Sequence, residues 1–374
     1  MTMLTEPSIA APPPTRIRPR LVDQLHDLAA VALPRMYHAA ERVFVFTERG
    51  ERGRLATAGR SQRYSAIALI GLESSRATIA PFDRAERRKI ASALLGQVAT
   101  RGLGDAALIA WAATLTGVPA DAAWARIEAL IPERSEQPTI ELAWALTALS
   151  VVPSQKRAPL RDRIAERLMA AQASQGHLFP HHVGGGAVRS HVACFADQVY
   201  PIQALSEYSR ASGNQNALGA AADCAARICA LQGAAGQWWW HYDVRTGAVL
   251  EEYPVYAIHQ DAMGPMALFA LAKAGGPDYG DAVERSVSWL AAAPELEGGG
   301  LIDVRNATVW RKVARREPGK TSRYVQAAVS RWAAGRRLSG LNRVFPPRVI
   351  DYEDRPYHWG WFLYAWASTH RATA

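Results

Sequence analysis

The feature that most constrains the fold of this chain is a repeated pattern of glutamine, glycine, aspartate and proline. Each copy has a glutamine, a glycine four residues later, a polar loop, and then a helical segment that carries Asp-x3-Pro. The copies read Gln172-x3-Gly176-x-Leu178 with Asp197-x3-Pro201, and Gln232-x3-Gly236-x-Trp238 with Asp261-x3-Pro265. Repeats of this size indicate stacked supersecondary units that share one core.

Apolar residues recur with helical spacing along the chain, whereas almost no stretch alternates with the period of a strand. Short segments rich in glycine or proline separate the helical stretches. The spacing predicts helices over 21–38, 62–72, 84–99, 106–115, 121–130, 140–149, 160–173, 195–210, 216–230, 256–274, 282–292, 324–334 and 358–369.

The predicted helices are of two kinds. Those at 140–146 and 358–366 are apolar on nearly every side and should be buried, whereas 84–99 and 160–173 carry a charged face. Buried helices that alternate with amphipathic ones predict an all-α, (α/α)6-type toroid, in which an outer ring of helices shields an inner ring. About six hairpins use up residues 20–374 as a single domain, after a flexible segment at 1–19. An α-solenoid is the alternative architecture.

The composition is that of a soluble globular protein, with 49% hydrophobic and 21% charged residues. No apolar run reaches the ~18 residues of a membrane span, and the N-terminus has no apolar signal-peptide core. Three cysteines without Cys-x2-Cys spacing fit a reducing compartment. These features predict a cytoplasmic protein.

The net charge of +9 is concentrated in one basic stretch, 305–348. This stretch has twelve Lys and Arg residues against one acid, Glu317, which gives it a net charge of +11. Concentrated positive charge favours an anionic partner, here a small molecule or an oligosaccharide, and it allows contact with a membrane surface. We expect no nucleic acid partner. The alternative is that most of these arginines are simply solvated.

The two Asp-x3-Pro segments could place acids in a buried setting. Proline has no N–H to bond the carbonyl four residues earlier, and here that carbonyl belongs to Asp197 or Asp261. A buried carboxyl with few partners has a raised pKa and can act as a general acid. We predict that Asp197 and Tyr200, which lie on the first of these helices, bind substrate. The alternative is that each aspartate complements the dipole of a helix N-terminus.

Acid/base side chains cluster on the helix predicted at 256–274. Tyr256, His259 and Gln260 fall on one helical face together with Met263, and Tyr253 and Asp261 are close in sequence. Histidine and tyrosine are common proton-transfer groups, so we predict catalytic roles for Tyr256, His259 and Asp261 and substrate binding by Tyr253 and Gln260. A satisfied core histidine is the alternative.

An aromatic run precedes this helix at 238–240. The faces of Trp239 and Trp240 could line a substrate cavity or stabilise a cation. The alternative is that the tryptophans wedge the loop between neighbouring helices.

The last helix follows three closely spaced acids, Asp351, Glu353 and Asp354. Carboxylates that repel one another hold a proton more tightly, so one of them could serve as a catalytic acid. His358 and Trp359 come directly after and are predicted to contact substrate. The alternative is an acidic cap on the helix. No metal-ligand spacing or phosphate-binding loop is present, and we expect neither a metal nor a cofactor.

Gln232, Gly236 and Trp238 resemble the QW repeat of the squalene-hopene cyclase and protein prenyltransferase superfamily. The resemblance implies an α/α toroid over most of 60–370. Class II cyclases of that superfamily protonate their substrate with Asp-x-Asp-Asp, and the sequence from Asp351 to Asp354 is similar but departs at its third position. The zinc ligands of the prenyltransferases are not recognisable.

A second resemblance rests on Tyr242-Asp243 and on Tyr256-x2-His259-Gln260. These residues look like the helical domain of glucuronyl C5-epimerases and toroidal polysaccharide lyases, and the resemblance implies Tyr/His proton transfer beside a uronate carboxylate.

Three functions therefore remain open. The leading hypothesis is a terpenoid-cyclase-like enzyme that uses acid-initiated chemistry in an axial aromatic cavity. The first alternative is a carbohydrate-active toroid, of the epimerase, lyase or glycosidase type, acting on an acidic saccharide. The second is a non-enzymatic basic scaffold.

Overall fold

The computed structural model of the protein describes residues 19–367, except 52–53, 76–77, 153, 185–189, 319–320 and 339. The segment predicted to be flexible, 1–19, lies outside these residues except for Pro19, which begins the first helix. The α-helices of the described residues are α1 (Pro19–Arg35), α2 (Gln62–Ser74), α3 (Arg84–Leu95), α4 (Leu103–Leu115), α5 (Asp121–Ala129), α6 (Thr139–Val151), α7 (Ala158–Ala171), α8 (Ala196–Ser212), α9 (Gln215–Ala230), α10 (Gly264–Lys273), α11 (Gly280–Ala292), α12 (Thr321–Trp332), α13 (Leu341–Val344) and α14 (Pro356–Ala365).

Two concentric rings of helices form the fold. In the inner ring α2, α4, α6, α8, α10 and α14 pack in that order, and α14 closes the ring against α2. The helices α1, α3, α5, α7, α9 and α11 lie outside them. The inner helix α6 is buried continuously from Leu142 to Ser150, whereas α3 buries only Ile90, Ala91 and Leu94. The (α/α)6 toroid predicted from the sequence is confirmed.

Most connections that lead into the inner helices are long and carry short strands, but the connection from α3 to α4 is short and carries none. The connections that leave the inner helices are short. The strands are β1 (Tyr37–His38), β2 (Val43–Phe44), β3 (Thr47–Glu51), β4 (Arg54–Ala58), β5 (Gln137–Pro138), β6 (His182–Val183), β7 (Val192–Cys194), β8 (His241–Asp243), β9 (Ala248–Glu251), β10 (Val255–Tyr256), β11 (Ile302–Asp303), β12 (Thr308–Val309), β13 (Lys312–Ala314), β14 (Val349–Asp351) and β15 (Glu353–Asp354). Their pairing is antiparallel: β1-β2, β15-β3-β4, β5-β6, β7-β8-β9, β10-β13-β14 and β11-β12.

The basic stretch 305–348 lies within the connection from α11 to α14 and contains α12 and α13. Its strand β13 pairs with β10, so Lys312 lies opposite Tyr256 at the entrance to the inner ring. Among the described residues, no helix is both long and apolar enough to cross a membrane.

The repeated glutamines join neighbouring hairpins. The side chain of Gln172 donates a hydrogen bond of 2.9 Å to the carbonyl of Ala220 in α9. Gln232 donates one of 2.9 Å to Ala282 in α11. Each glutamine also donates to a carbonyl of its own loop. The shared part of the sequence repeat is therefore architectural, because both copies make the same connection between one outer helix and the next.

A second pair of glutamines fixes the loops against the inner helices. Gln198 and Gln260 are both fully buried, the first directly after the repeat aspartate Asp197 and the second directly before Asp261. The side chain of Gln198 accepts a bond of 2.8 Å from the backbone N–H of Phe179, and Gln260 accepts one of 3.1 Å from Trp238. Gln260, which the sequence suggested as a substrate ligand, binds backbone here.

The helix predicted over 256–274 is divided in the structure. Tyr256 belongs to β10, and a π-helical turn covers His259–Met263 before α10 begins at Gly264. Pro265 has no N–H for the carbonyl of Asp261, and the indole of Trp366 donates to that carbonyl instead, at 2.6 Å. The single helical face expected for Tyr256, His259, Gln260 and Met263 is therefore wrong, because Tyr256 is extended and the wider turn shifts the register.

Candidate functional site

The first turns of the inner helices lie at the same end of the toroid, because an outer helix runs back between each inner helix and the next. We call this end the mouth. It is formed by the first turns of the inner helices and by the strands that precede them, with side chains of Arg63, Asp105, Glu141, Asp197, His259 and Arg355. Polar side chains that converge at the open end of a barrel are typical of a binding site.

Three charged side chains from three inner helices meet at one wall of the mouth. The guanidinium of Arg63 lies 2.5 Å from Asp105 and 3.1 Å from Glu141. Glu141 also accepts a bond of 2.9 Å from the backbone N–H of Gly104. Burial lowers the pKa of Arg63, but the two carboxylates raise it by more. The pair of acids is thus held in place by one cation.

Aromatic rings lie beside this cluster and below it. The guanidinium of Arg63 lies 5.2 Å from the ring of Trp144, and Trp144 packs edge-on against Tyr200 with 5.0 Å between the ring centres. Tyr200 in turn contacts Trp361, deeper in the ring. Burial raises the pKa of Tyr200 well above its ordinary value, so its hydroxyl keeps its proton. Tyr200 and Trp361 are buried, so this set of contacts extends from the charged cluster into the core.

The first turns of α2 and α14 form a second aromatic wall. The rings of Tyr64 and Tyr357 are stacked with 4.5 Å between their centres. The hydroxyl of Tyr64 accepts a bond of 3.0 Å from Arg355. Arg355 therefore connects this wall to the acids that precede α14.

Two of the three acids predicted before α14 are ion-paired in the structure. Glu353 lies 3.0 Å from Arg311 and 2.8 Å from Arg355, and Asp351 lies 3.4 Å from Arg311 and 3.0 Å from Lys312. Burial raises the pKa of Glu353, but the neighbouring arginines, Arg355 above all, lower it below its usual value. The cations of the basic stretch that reach the mouth are thus bridged by carboxylates.

Tyr256 and His259 lie against these cations. Arg311 and Lys312 each lie 5.4 Å from the centre of the Tyr256 ring, and Tyr256 packs 5.0 Å from the imidazole of His259. Burial, with the charge of Arg311, lowers the pKa of His259 to about 3, so the ring is neutral. Its Nδ1 is buried and has no hydrogen-bond partner among the described residues.

A histidine that sequence reasoning did not select lies on the other side of the α8 entrance. Nδ1 of His181 lies 3.1 Å from both carboxylate oxygens of Asp197. Asp197 is fully buried and also accepts a bond of 2.7 Å from the backbone N–H of Cys194, whereas the His181 side chain is 52% exposed. A buried carboxylate therefore orients a half-exposed imidazole.

The same three residues form a group that could hold a cation. Ligand atoms of His181, Cys194 and Asp197 all lie within 4.8 Å of one another. The sequence predicted no metal ligands, and the Cys-x2-Asp spacing at a helix start gave no such signal. Both oxygens of Asp197 already face His181, and burial raises the pKa of the Cys194 thiol well above its usual range.

The other repeat aspartate lies deeper in the fold. Asp261 and His358 are both buried, and Nε2 of His358 lies 2.8 and 2.9 Å from the two carboxylate oxygens. Asp354 is also buried and accepts a bond of 2.9 Å from the indole of Trp359. Burial raises the pKa of Asp354 to about 7. These predicted site residues form a network behind the mouth.

The remaining predicted substrate ligands are divided between the mouth and its surroundings. Trp240 lies 6.5 Å from the Tyr256 ring, at the mouth, and stacks on His241. Trp239 packs against Tyr253, whose hydroxyl donates a bond of 2.8 Å to Glu295 on the outer side.

Arg63, Asp105, Glu141, His181 and Arg311 all lie at the mouth and were not selected from the sequence. Each of the first three lies in the first turn of an inner helix. That position is the signal that could have identified them, once the inner helices were distinguished from the outer ones.

No protein-family model and no curated protein sequence matches this chain. Solved structures do resemble it. A cellobiose 2-epimerase from Bacillus thermoamylovorans has a TM-score of 0.63 at 11% identity, covering 94% of this chain and 100% of that one. An unsaturated glucuronyl hydrolase specific for heparin has a TM-score of 0.60 at 12% identity, covering 93% and 95%. A sugar epimerase from a ruminal bacterium has a TM-score of 0.58 at 9% identity, covering 94% and 98%.

At these identities the likeness shows the fold. All three proteins are sugar enzymes by name, and none is a terpenoid cyclase. They give no support to the resemblance to the QW repeat.

Proposed function

We propose that this chain is a carbohydrate-active enzyme that transfers protons on an acidic saccharide bound in the mouth. The observation that carries the proposal is a pair of imidazoles on the two sides of one helix entrance. Asp197 in the first turn of α8 binds His181, and Phe195, just before that helix, packs 4.8 Å from the ring of His259. Two such groups can act on one sugar ring.

The two histidines differ in the roles they suit. His181 has its ring oriented by a buried carboxylate, an arrangement that stabilises the imidazolium formed when histidine accepts a proton. His259 is held neutral by burial and by Arg311. A neutral imidazole is a hydrogen-bond donor to a developing oxyanion rather than a strong base.

The acidic group of the substrate would bind beside Tyr256. Arg311 and Lys312 face that ring, and a uronate carboxylate would compete there with Asp351 for the two cations. The stacked rings of Tyr64 and Tyr357 offer an apolar face to the sugar. Support for a uronic substrate also comes from the structural neighbour described as a glucuronyl hydrolase, and support for proton transfer comes from the two described as epimerases.

A glycosidase is the second candidate, and one observation favours it. Asp105 and Glu141 come from different inner helices and share the guanidinium of Arg63. Hydrolysis of a glycosidic bond commonly uses two carboxyl groups that face one another across the bond.

The test is to incubate the protein in D2O with a uronic oligosaccharide and with the neutral oligosaccharide of the same linkage, and to follow both by NMR. We expect deuterium at a sugar carbon of the uronic substrate only. His181→Gln and His259→Gln should both lose this exchange, whereas His177→Gln, an exposed histidine on the same loop as His181, should keep it.

The outcomes separate the hypotheses. If the saccharide is cleaved without deuterium at a sugar carbon, and Glu141→Gln abolishes the cleavage, the protein is a glycosidase and the proposal of proton transfer at carbon is wrong. No reaction of either saccharide with the folded protein would favour the scaffold.

A further inference from the structure

Helix α12 has its apolar and polar faces reversed relative to a helix that packs on a protein core. The residues it buries are Ser322, Gln326, Ala327 and Ser330. Its larger apolar side chains point outward, and Trp332 is 90% exposed. Surface helices of globular proteins bury their apolar stripe, so this helix presents to the outside the face that ordinarily packs inward.

Three exposed apolar residues and the half-buried Val329 form a continuous stripe. Val325, Ala328, Val329 and Trp332 follow the spacing i, i+3, i+4, i+7, which places them on one side of the helix. Val325 is 39% exposed, and Ala328 is exposed as well. We call these four residues the α12 stripe. Such a stripe predicts a contact with an apolar surface.

Hydrogen bonds of the buried polar face fix this orientation. Nε2 of His191 lies 2.9 Å from the hydroxyl of Ser330. Gln326 accepts a bond of 2.9 Å from the backbone N–H of Leu338 and donates one of 3.2 Å to its carbonyl. Rotating the helix to bury the stripe would break these bonds, because each depends on the polar residues facing inward.

The charges around the stripe select the partner. Five cations of the stretch 305–348 pair with acids outside it, namely Arg311, Lys312, Arg315, Arg337 and Arg348. Helix α12 and the segment after it also carry Arg323, Arg331, Arg336 and Arg343, so a second copy of the chain docking through the same face would bring like charges together. Arg336 and Arg343 are exposed and form no ion pair within the described residues. A helix that exposes tryptophan and aliphatic side chains among arginines is typical of binding at an anionic membrane surface.

We propose that the α12 stripe, together with the exposed arginines Arg336 and Arg343 of the segment that follows α12, binds the protein to an anionic phospholipid membrane. The proposal is independent of the reaction at the mouth. Arg323 of α12 lies 5.8 Å from the ring of Trp240, so this helix lies beside the mouth.

The test is co-sedimentation of the purified protein with vesicles of phosphatidylcholine alone and of phosphatidylcholine mixed with phosphatidylglycerol. Wild type should bind the mixed vesicles and lose binding as salt is raised, because exposed charges are screened. Val325→Ser/Trp332→Ser should weaken binding about ten-fold or more, since it removes the side chains that enter the interface. The double variant Val31→Ser/Leu115→Ser, with similarly exposed apolar residues elsewhere, should bind like wild type.

A second pair of variants tests the charges. Neutralising an arginine near an anionic surface should weaken binding about five-fold, so we expect about 25-fold for Arg336→Gln/Arg343→Gln. Arg84→Gln/Arg134→Gln, which removes two exposed arginines outside the basic stretch, should have no effect.

Three results would overturn the proposal. The first is a failure of the vesicle experiment itself: either wild type binds neither kind of vesicle, or Val325→Ser/Trp332→Ser binds the mixed vesicles as tightly as wild type. The second is tight binding of soluble polyglutamate without binding to vesicles, which would assign the surface to an acidic protein. The third is a dimer in analytical ultracentrifugation that Trp332→Ser abolishes, which would assign the stripe to a second copy.

Discussion

The two Asp-x3-Pro helices use the same aspartate in different ways. Both carboxylates are fully buried and both bind a histidine, but the His181 side chain is 52% exposed and that of His358 only 5%. The difference follows from where each histidine originates. His181 lies in the loop before its helix, at the mouth, whereas His358 belongs to the neighbouring inner helix α14 and packs within the wall of the ring. One copy of the motif thus contributes to the candidate site, and the other to the core.

The largest expected effect is on stability. Asp261→Ala leaves His358 without its partner in a buried position, and breaking a buried charge pair costs about 3–5 kcal/mol. Asp197→Ala should cost about 1–2 kcal/mol, chiefly for the lost bond to the N–H of Cys194, because water can solvate the half-exposed His181. Urea unfolding of the two variants measures the difference. Equal losses would mean that exposure of the histidine does not distinguish the pairs.

Catalytic activity should depend on the Asp197–His181 pair more than on the Asp261–His358 pair, which is the opposite order to stability. His181→Gln should lower kcat/KM about 100-fold or more, as removal of a general acid/base does, and change the free energy of unfolding by less than about 1 kcal/mol. His177→Gln is the matched control. Wild-type turnover in His181→Gln would remove this pair from the reaction and leave His259 and Tyr256 as the groups to test.

The architecture was accessible from the sequence, because it depends on periodic burial. The buried character of 140–146 and 358–366 predicted inner-ring helices, and the repeat predicted the hairpins. The site was less accessible. Arg63, Asp105 and Glu141 are far apart in the chain and meet only because the consecutive inner helices α2, α4 and α6 pack side by side.

The start of α10 is a second place where the sequence-based prediction was incorrect, because the predicted helix over 256–274 is divided in the structure. The register of a helix could not be read through Pro265, where a π-helical turn and the Trp366 indole satisfy the carbonyls that the proline leaves free.

The repeated glutamines test the part of the comparison that the copies share. Gln172→Ala and Gln232→Ala each remove two hydrogen bonds to backbone carbonyls, and each should cost about 1–2 kcal/mol. Neither should change kcat, because neither residue lies at the mouth. Chemical denaturation with parallel assays measures both quantities. A loss confined to one copy would show that the two connections are not equivalent.

The smallest expected effect is on the pH dependence of stability. His358 lies between Asp261 and Asp354. Burial lowers its pKa, but the charge and hydrogen bond of Asp261 raise it by more, so its pKa is higher in the folded state than the ordinary ~6.5. A proton held more tightly by the folded state stabilises it at low pH. This contribution is complete below about pH 6.5 and is lost as the pH rises through the folded pKa.

Asp354 also makes the free energy of unfolding depend on pH, but over a lower pH range than His358. Burial raises its pKa to about 7, so its own contribution declines between about pH 4 and pH 7 and changes little above. Above pH 7 the free energy of unfolding of wild type and of Asp354→Asn should therefore fall with similar slopes, while that of His358→Gln should fall less. Parallel slopes for wild type and His358→Gln would show that the folded state does not hold the His358 proton more tightly than the unfolded state does. The contrast with the exposed pair would then rest on packing alone.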